Sequence, residues 1–265
     1  MSDNPYSSLK ILHHSEQLAE LRNGGHPKPV SIRFVLSDLC NQNCHFCTFR
    51  MENSFTNKLF SQKNRKGETT YNPARFIGRE KALEIVNDAK EMGIKSIEFT
   101  GGGEPTVHPD HLEVFNSVLD SGINLGLITN GVLFRPGFID TMMRATWIRF
   151  SVDAANKETY SQTRRVPLKT YDSVLKNIKK LVDRKKEVGS DLTIGMSFVV
   201  TDQNYEQIYQ AAKIASEMGV DYLRIAYYRT DDGFVAGDYN RAVELINKSI
   251  EDFQREDFAV LNQYT

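Results

Sequence analysis

A unit recurs along the chain: a short run rich in β-branched and aromatic residues, a turn containing Gly, Asn or Asp, then an amphipathic helical stretch closing near Gly. The runs at 30–37 (VSIRFVLS), 95–101 (KSIEFTG), 123–129 (INLGLIT), 147–153 (WIRFSVD), 192–201 (LTIGMSFVVT) and 221–229 (DYLRIAYYR) predict six strands. Between them, 78–93 places apolar residues at 82, 83, 85, 86, 89 and 92 on one broad face, with Gly93 as its stop. The same grammar returns at 205–219, and 241–254 (RAVELINKSIEDFQ) reads as the sixth helix. Strands alternating with helices of this length pair in parallel through right-handed crossovers, and units added on one side curl toward a barrel. The expected architecture is α/β: an open, partial (β/α)6 TIM-like barrel of parallel strands.

Two segments fall outside the repeat. Residues 1–29 form a lead-in expected to be a short helix ended by Pro27 and Pro29, and the core domain runs from 30 to 265. Within it, 48–77 is an insertion too polar for the core and longer than most connections. At the far end FAVLNQYT reads as another extended run beginning, and the chain is expected to stop before a further element.

With 265 residues, 40% hydrophobic and 25% charged, the chain can bury one sizeable core. A formal net charge of -1 provides no global field toward nucleic acid or an anionic membrane. The first twenty residues lack a basic stretch followed by an apolar one, and no segment approaches a membrane span, so the expected location is cytoplasmic. All three cysteines lie between positions 40 and 47, too close and odd in number for a disulfide framework. Reduced thiols with a chemical task are expected.

Cys40, Cys44 and Cys47 stand in C-x3-C-x2-C spacing directly after the first strand, on the face where α/β barrels place their chemistry. Three thiolates can each ligate one iron of a cubane and leave the fourth iron without a protein ligand. A structural zinc site is the alternative; it needs a fourth ligand, for which His45 is the nearest candidate although its place inside the C-x2-C step points it poorly.

That spacing, with Phe46 just before the last cysteine, resembles the signature of the radical S-adenosylmethionine (SAM) superfamily. The resemblance implies a [4Fe-4S] cluster whose open iron chelates the amino and carboxylate groups of SAM, and an electron that breaks a carbon–sulfur bond to give a 5′-deoxyadenosyl radical. That radical would abstract hydrogen from a substrate, the electron coming from a donor such as flavodoxin or ferredoxin. Gly102, Gly103, Glu104 and Pro105 after the second strand resemble the family's GGEP motif, which holds the methionine ammonium. Thr129, Asn130 and Gly131 form a TNG turn that could serve the methionine end, though Asn–Gly is also an ordinary turn signal.

Ser151 and Asp153 close the fourth strand and are followed by Arg164 and Arg165; in the family a strand-end serine and a following arginine serve SAM's carboxylate and ribose. Arg164 is the first choice and Arg165 the second, against the reading of a solvated basic turn. Ser197 and Val199 lie where the family contacts ribose and adenine, without a clear G-x-I-x-G-x-x-E pattern. The resemblance spans about 30 to 230. The lead-in also looks like that of members carrying auxiliary clusters, but no further cysteine exists to ligate one.

For the substrate, Lys58, Lys63, Arg65 and Lys66 near Phe55, Phe60 and Tyr71 in the insertion would suit an anionic, phosphorylated molecule, against the reading of a solvated surface loop. Tyr227, Tyr228 and Arg229 at the end of the sixth strand could complete the pocket. A small metabolite, such as a nucleotide or sugar, is favoured over nucleic acid because no separate nucleic-acid module is visible. A peptide-modifying maturase is the alternative, and a non-enzymatic zinc or iron–sulfur binding protein the third reading.

Overall fold

The computed structural model describes residues 10–50, 61–63, 69–71, 76–230, 233–235 and 238–264. In chain order the strands are β1 (Ser31–Phe34), β2 (Ser61–Lys63), β3 (Thr69–Tyr71), β4 (Ser96–Phe99), β5 (Asn124–Thr129), β6 (Trp147–Ser151), β7 (Thr193–Val200), β8 (Tyr222–Thr230), β9 (Gly233–Val235) and β10 (Ala259–Gln263). The helices are α1 (Ser15–Arg22), α2 (Arg79–Met92), α3 (His111–Asp120), α4 (Phe138–Met142), α5 (Lys157–Arg164), α6 (Lys169–Val188), α7 (Ile208–Met218) and α8 (Tyr239–Phe253).

The sheet runs β1-β4-β5-β6-β7-β8-β10, every neighbouring pair parallel, with β9 antiparallel on the end of β8. β1 and β10 are its edges, so the barrel is open as expected. It holds one more parallel strand than the six expected: the extended run near the end pairs Ala259–Gln263 with Tyr222–Ala226. Sidedness follows the period of two. Ile97 and Phe99, Leu125 and Leu127, Ile148 and Phe150 are buried beneath the helices, while Glu98, Ile128, Trp147, Arg149 and Ser151 are only partly covered on the face that lines the half-barrel's lumen.

Helix ends follow local chemistry. Gly93, Gly189 and Gly219 take left-handed conformations that close α2, α6 and α7, and the Asn156 side chain accepts from the Thr159 N–H to start α5. The buried stripe of α2 is narrower than its pattern suggests: Ala82, Val86 and Ala89 face the core while Met92 is exposed. In the lead-in, α1 buries no residue, and it ends at Asn23 and Gly24, whose N–H groups turn back to Ala19 and Leu21, before either proline is reached. From the insertion the described residues include β2 and β3, an antiparallel pair, and a bridge from Ser37 to Phe76.

Candidate functional site

The chain leaves β1 and runs beside the segment after β4, with Gly103 N–H donating to Ser37 O at 2.8 Å and Glu104 N–H to Leu39 O at 2.8 Å. This approach requires glycine: a Cβ on Gly103 would lie 1.9 Å from the Leu39 carbonyl oxygen. Gly101 and Gly102 both adopt positive φ, turning the chain sharply at the strand end. The cysteine loop then settles on the last turn of α5. Asn43 and His45 donate backbone N–H groups to the carbonyls of Arg164 and Thr163, each at 3.1 Å. Orphan carbonyls at a helix C-terminus are thereby satisfied.

Cys40, Cys44 and Cys47 line one cavity of about 300 Å³ with Gln42, Phe46, Thr48, Phe49, Thr100, Gly101, Gly102, Gly103, Glu104, Ile128, Thr129, Asn130, Ser151, Asp153, Arg164, Val199, Tyr227 and Tyr228. Of the described residues predicted from sequence, Pro105, Gly131, Arg165 and Ser197 are not in that lining. Pro105 is buried at the start of a short 3-10 turn behind the loop. Arg165 is exposed at the left-handed end of α5. Ser197 is buried beside Ser151 in register, its carbonyl accepting from the N–H groups of Val152 and Asp153. Lys58, Arg65 and Lys66, with Phe55 and Phe60, and the side chains of Lys63, Tyr71 and Arg229, lie outside the described residues.

Around the thiols the donors are specific. Gln42 N–H reaches the Cys40 sulfur at 3.4 Å and Arg164 Nη1 the Cys44 sulfur at 3.5 Å. Burial pushes the Cys44 thiol up, and the Arg164 guanidinium pulls against it. Among the described residues no three His, Cys, Asp or Glu side chains converge on one point as a single metal ion needs, although three cysteines ring one cavity. His45, the candidate fourth zinc ligand, turns Nδ1 to the Thr163 carbonyl at 3.2 Å.

Glu104 is buried, and its Oε1 accepts from Thr106 N, Thr106 Oγ1 and Thr129 Oγ1 at 3.0, 2.8 and 2.7 Å. Among the described residues Oε2 accepts only from Asn130 N, at 2.7 Å, which leaves an acceptor position of this cavity-lining carboxylate uncommitted. Burial raises this carboxyl against the pull of its donors, a cost that an incoming cation would relieve. The Asn130 amide donates to Asn41 Oδ1 at 2.6 Å, tying the end of β5 to the cysteine loop.

Arg164 anchors the opposite wall. Its Nε donates to Val152 O at 3.2 Å, Nη1 to Gln42 Oε1 at 2.6 Å, and Nη2 to Asp153 Oδ2. Burial alone would push the guanidinium's pKa down, but Cys44, Asp153, Tyr160 and Cys40 together carry it upward and keep it charged. Its flat faces lie against Phe46 and Tyr160, 5.8 and 5.3 Å from the ring centres. Asp153 holds a left-handed backbone conformation, φ 56°, fixed by Arg164 and by Val199 N–H on its other oxygen at 2.7 Å. Sequence reasoning missed Gln42 and Tyr160, whose hydroxyl accepts from Gln42 Nε2 at 2.8 Å; no motif marks either one.

The chain is 28% identical over 202 residues to the AdoMet-dependent heme synthase of Methanosarcina barkeri, covering 76% of this chain and 50% of that protein. It is 26% identical over 196 residues to a probable GTP 3′,8-cyclase of Saccharolobus islandicus, covering 73% of this chain and 55% of that protein. The chain thus spans about half the length of the curated relatives it matches. Streptococcus suis SuiB bound to S-adenosylmethionine superposes with a TM-score of 0.64 at 21% identity, over 99% of this chain and 57% of that one, a likeness of fold alone. Among the described residues no helix is long and apolar enough to cross a membrane. The family model for the Radical SAM superfamily matches residues 34–215, well over half of the chain, and takes in the thiols, the glycine and acid loop and the strand ends that share the cavity: the chain belongs to the radical SAM superfamily.

Proposed function

We propose that this chain is the core of an enzyme that reductively cleaves SAM at a [4Fe-4S] cluster held by Cys40, Cys44 and Cys47, and abstracts hydrogen from a small-molecule substrate. The observation that carries this reading is the single cavity in which the three thiols meet the open acceptor of Glu104. When bound, the cluster supplies the electron, drawn from a donor such as flavodoxin or ferredoxin, that breaks SAM's carbon–sulfur bond.

The chain's own groups bind and orient. Glu104 Oε2 and the adjacent Gly102–Gly103 backbone receive SAM's ammonium, the carboxylate being pre-aimed by Thr106, Thr129 and Asn130. Ser151 and the remaining Nη2 hydrogen of Arg164 are the donors for its carboxylate and ribose. Val199 contributes an apolar wall, and Tyr227 and Tyr228 close the cavity on the substrate side. Relatives named for heme synthesis and GTP cyclisation act on small molecules, which supports a metabolite such as a nucleotide or sugar, with an anionic group, over a peptide.

Anaerobically reconstituted protein, reduced with dithionite and given SAM, should yield 5′-deoxyadenosine and methionine. S-adenosylhomocysteine as the sole product would mean polar methyl transfer and overturn the reading.

A further inference from the structure

Below the cavity, the lumen of the half-barrel holds two arginines that the site described above does not use. Arg149 on β6 is the register neighbour of Ile128, which lines the cavity. Arg224 on β8 is the neighbour of Ser197, itself the neighbour of cavity-lining Ser151. With strands about 4.8 Å apart and about 3.3 Å of rise per residue, their backbones stand roughly 11–12 Å from each other, a span two long side chains can close from both sides. Both are partly covered, and among the described residues neither forms an ion pair. The lumen's nearby acids are committed elsewhere: Glu98 to Arg33 at 3.2 Å, and Asp153 to Arg164 and Val199 N–H.

Neutral groups set the two guanidiniums in place. Arg149 lies over the Trp147 ring, 5.6 Å from its centre, and Arg224 Nε donates to Gln263 Oε1 at 2.5 Å. Two glycines make the floor. A Cβ on Gly126 would lie 2.4 Å from the Trp147 ring and one on Gly195 would lie 2.1 Å from the Tyr222 ring, so both aromatics lie across the neighbouring strand. Two like charges have been brought together in a partly desolvated lumen; Arg224 is pushed down by burial first and by Arg149 second. Asp153, the carboxylate whose charge reaches Arg224, is already engaged by Arg164, and a pair so placed is matched by an oxyanion that takes both forks.

We infer that Arg149 and Arg224 form an anion subsite that holds a phosphate or carboxylate group of the substrate below the SAM cavity. This deepens the proposed function and rests on it, since the subsite would fix the substrate's charged end while its reacting carbon faces the cavity.

Trp147 is the sole tryptophan in the sequence and sits against Arg149, so its emission reports the subsite directly. Cluster-loaded protein is titrated with inorganic pyrophosphate and, separately, with succinate, against sodium chloride at matched ionic strength. A saturable change in Trp147 emission is expected with one of the two anions, which distinguishes phosphate from carboxylate recognition. The half-saturating concentration should rise at least tenfold in Arg149→Gln and in Arg224→Gln, with part of the affinity returning in the lysine variants, which keep the charge. No saturable response beyond chloride in the wild type, or an unchanged one in the glutamine variants, overturns the subsite. Formation of 5′-deoxyadenosine by the same wild-type preparation separates the two ideas. Anion binding without SAM cleavage keeps the subsite and sinks the proposed function, and cleavage without anion binding does the reverse.

Discussion

Replacing Arg164 with methionine removes one half of a charge pair that is almost wholly buried, the arginine at 3% and Asp153 at 1% exposure. The Asp153 charge is then left uncompensated in the interior, a loss of about 3–5 kcal/mol. The Gln42 and Val152 acceptors lose their donors as well, which places the expectation in the upper part of that range. At about 2–4 °C per kcal/mol for a chain of this size, the melting midpoint falls by roughly 8–20 °C. The loss depends on pH. Burial already raises the Asp153 carboxyl against the pull of Arg164 and Val199 N–H. An acid raised by folding contributes stability that is complete below its unfolded pKa and fades as pH rises through its folded one. Without Arg164 the folded value climbs further, so the loss grows as pH rises and shrinks toward the unfolded value of about 4. Urea unfolding of the metal-free protein, followed by Trp147 emission, measures it in a cycle with Asp153→Asn. The double variant should be more stable than the sum of the single losses by about 2 kcal/mol or more. A single-variant loss under about 1 kcal/mol, or strict additivity, would refute the argument that the pair is held by mutual compensation.

Changing Cys40, Cys44 and Cys47 together to alanine should leave no cubane; a cluster signal persisting in low-temperature EPR of the reduced variant would mean that the ligands lie elsewhere. Gly103→Ala forces a Cβ into the Leu39 backbone, so it should cost about 3 kcal/mol or more and lower iron loading, and normal iron content with a wild-type melt would contradict the close approach. In Glu104→Gln an amide faces the Asn130 N–H or the three donors on Oε1, a loss of about 1–3 kcal/mol. Calorimetry should find SAM binding weaker by about tenfold or more while iron content holds, a difference worth about 1.4 kcal/mol; unchanged affinity would remove Glu104 from the site.

The strands, the Gly93 stop and the cysteine loop's place after β1 were legible because each is a local pattern: a period of two, a left-handed cap, a spacing of ligands along a few residues. Gly103 stood out in the sequence through a resemblance to the family's GGEP motif, and the fold gives the physical reason for a glycine there: its missing side chain lets the Leu39 backbone pass. What lay beyond the sequence depends on partners far apart in the chain. The parallel pairing of β10 with β8 needs α8 to carry the chain across first. Arg164 and Arg165 are adjacent in sequence, yet α5 ends between them: one side chain is turned inward onto Gln42, 122 residues away, and the other is left in solvent. Arg149 and Arg224 read as ordinary polar positions on alternating strands, and they share one lumen because seven strands curl and pair in register. Local conformation is set by neighbouring residues, whereas the chemistry of a buried charge is set by whichever groups the fold brings within a few ångströms of it.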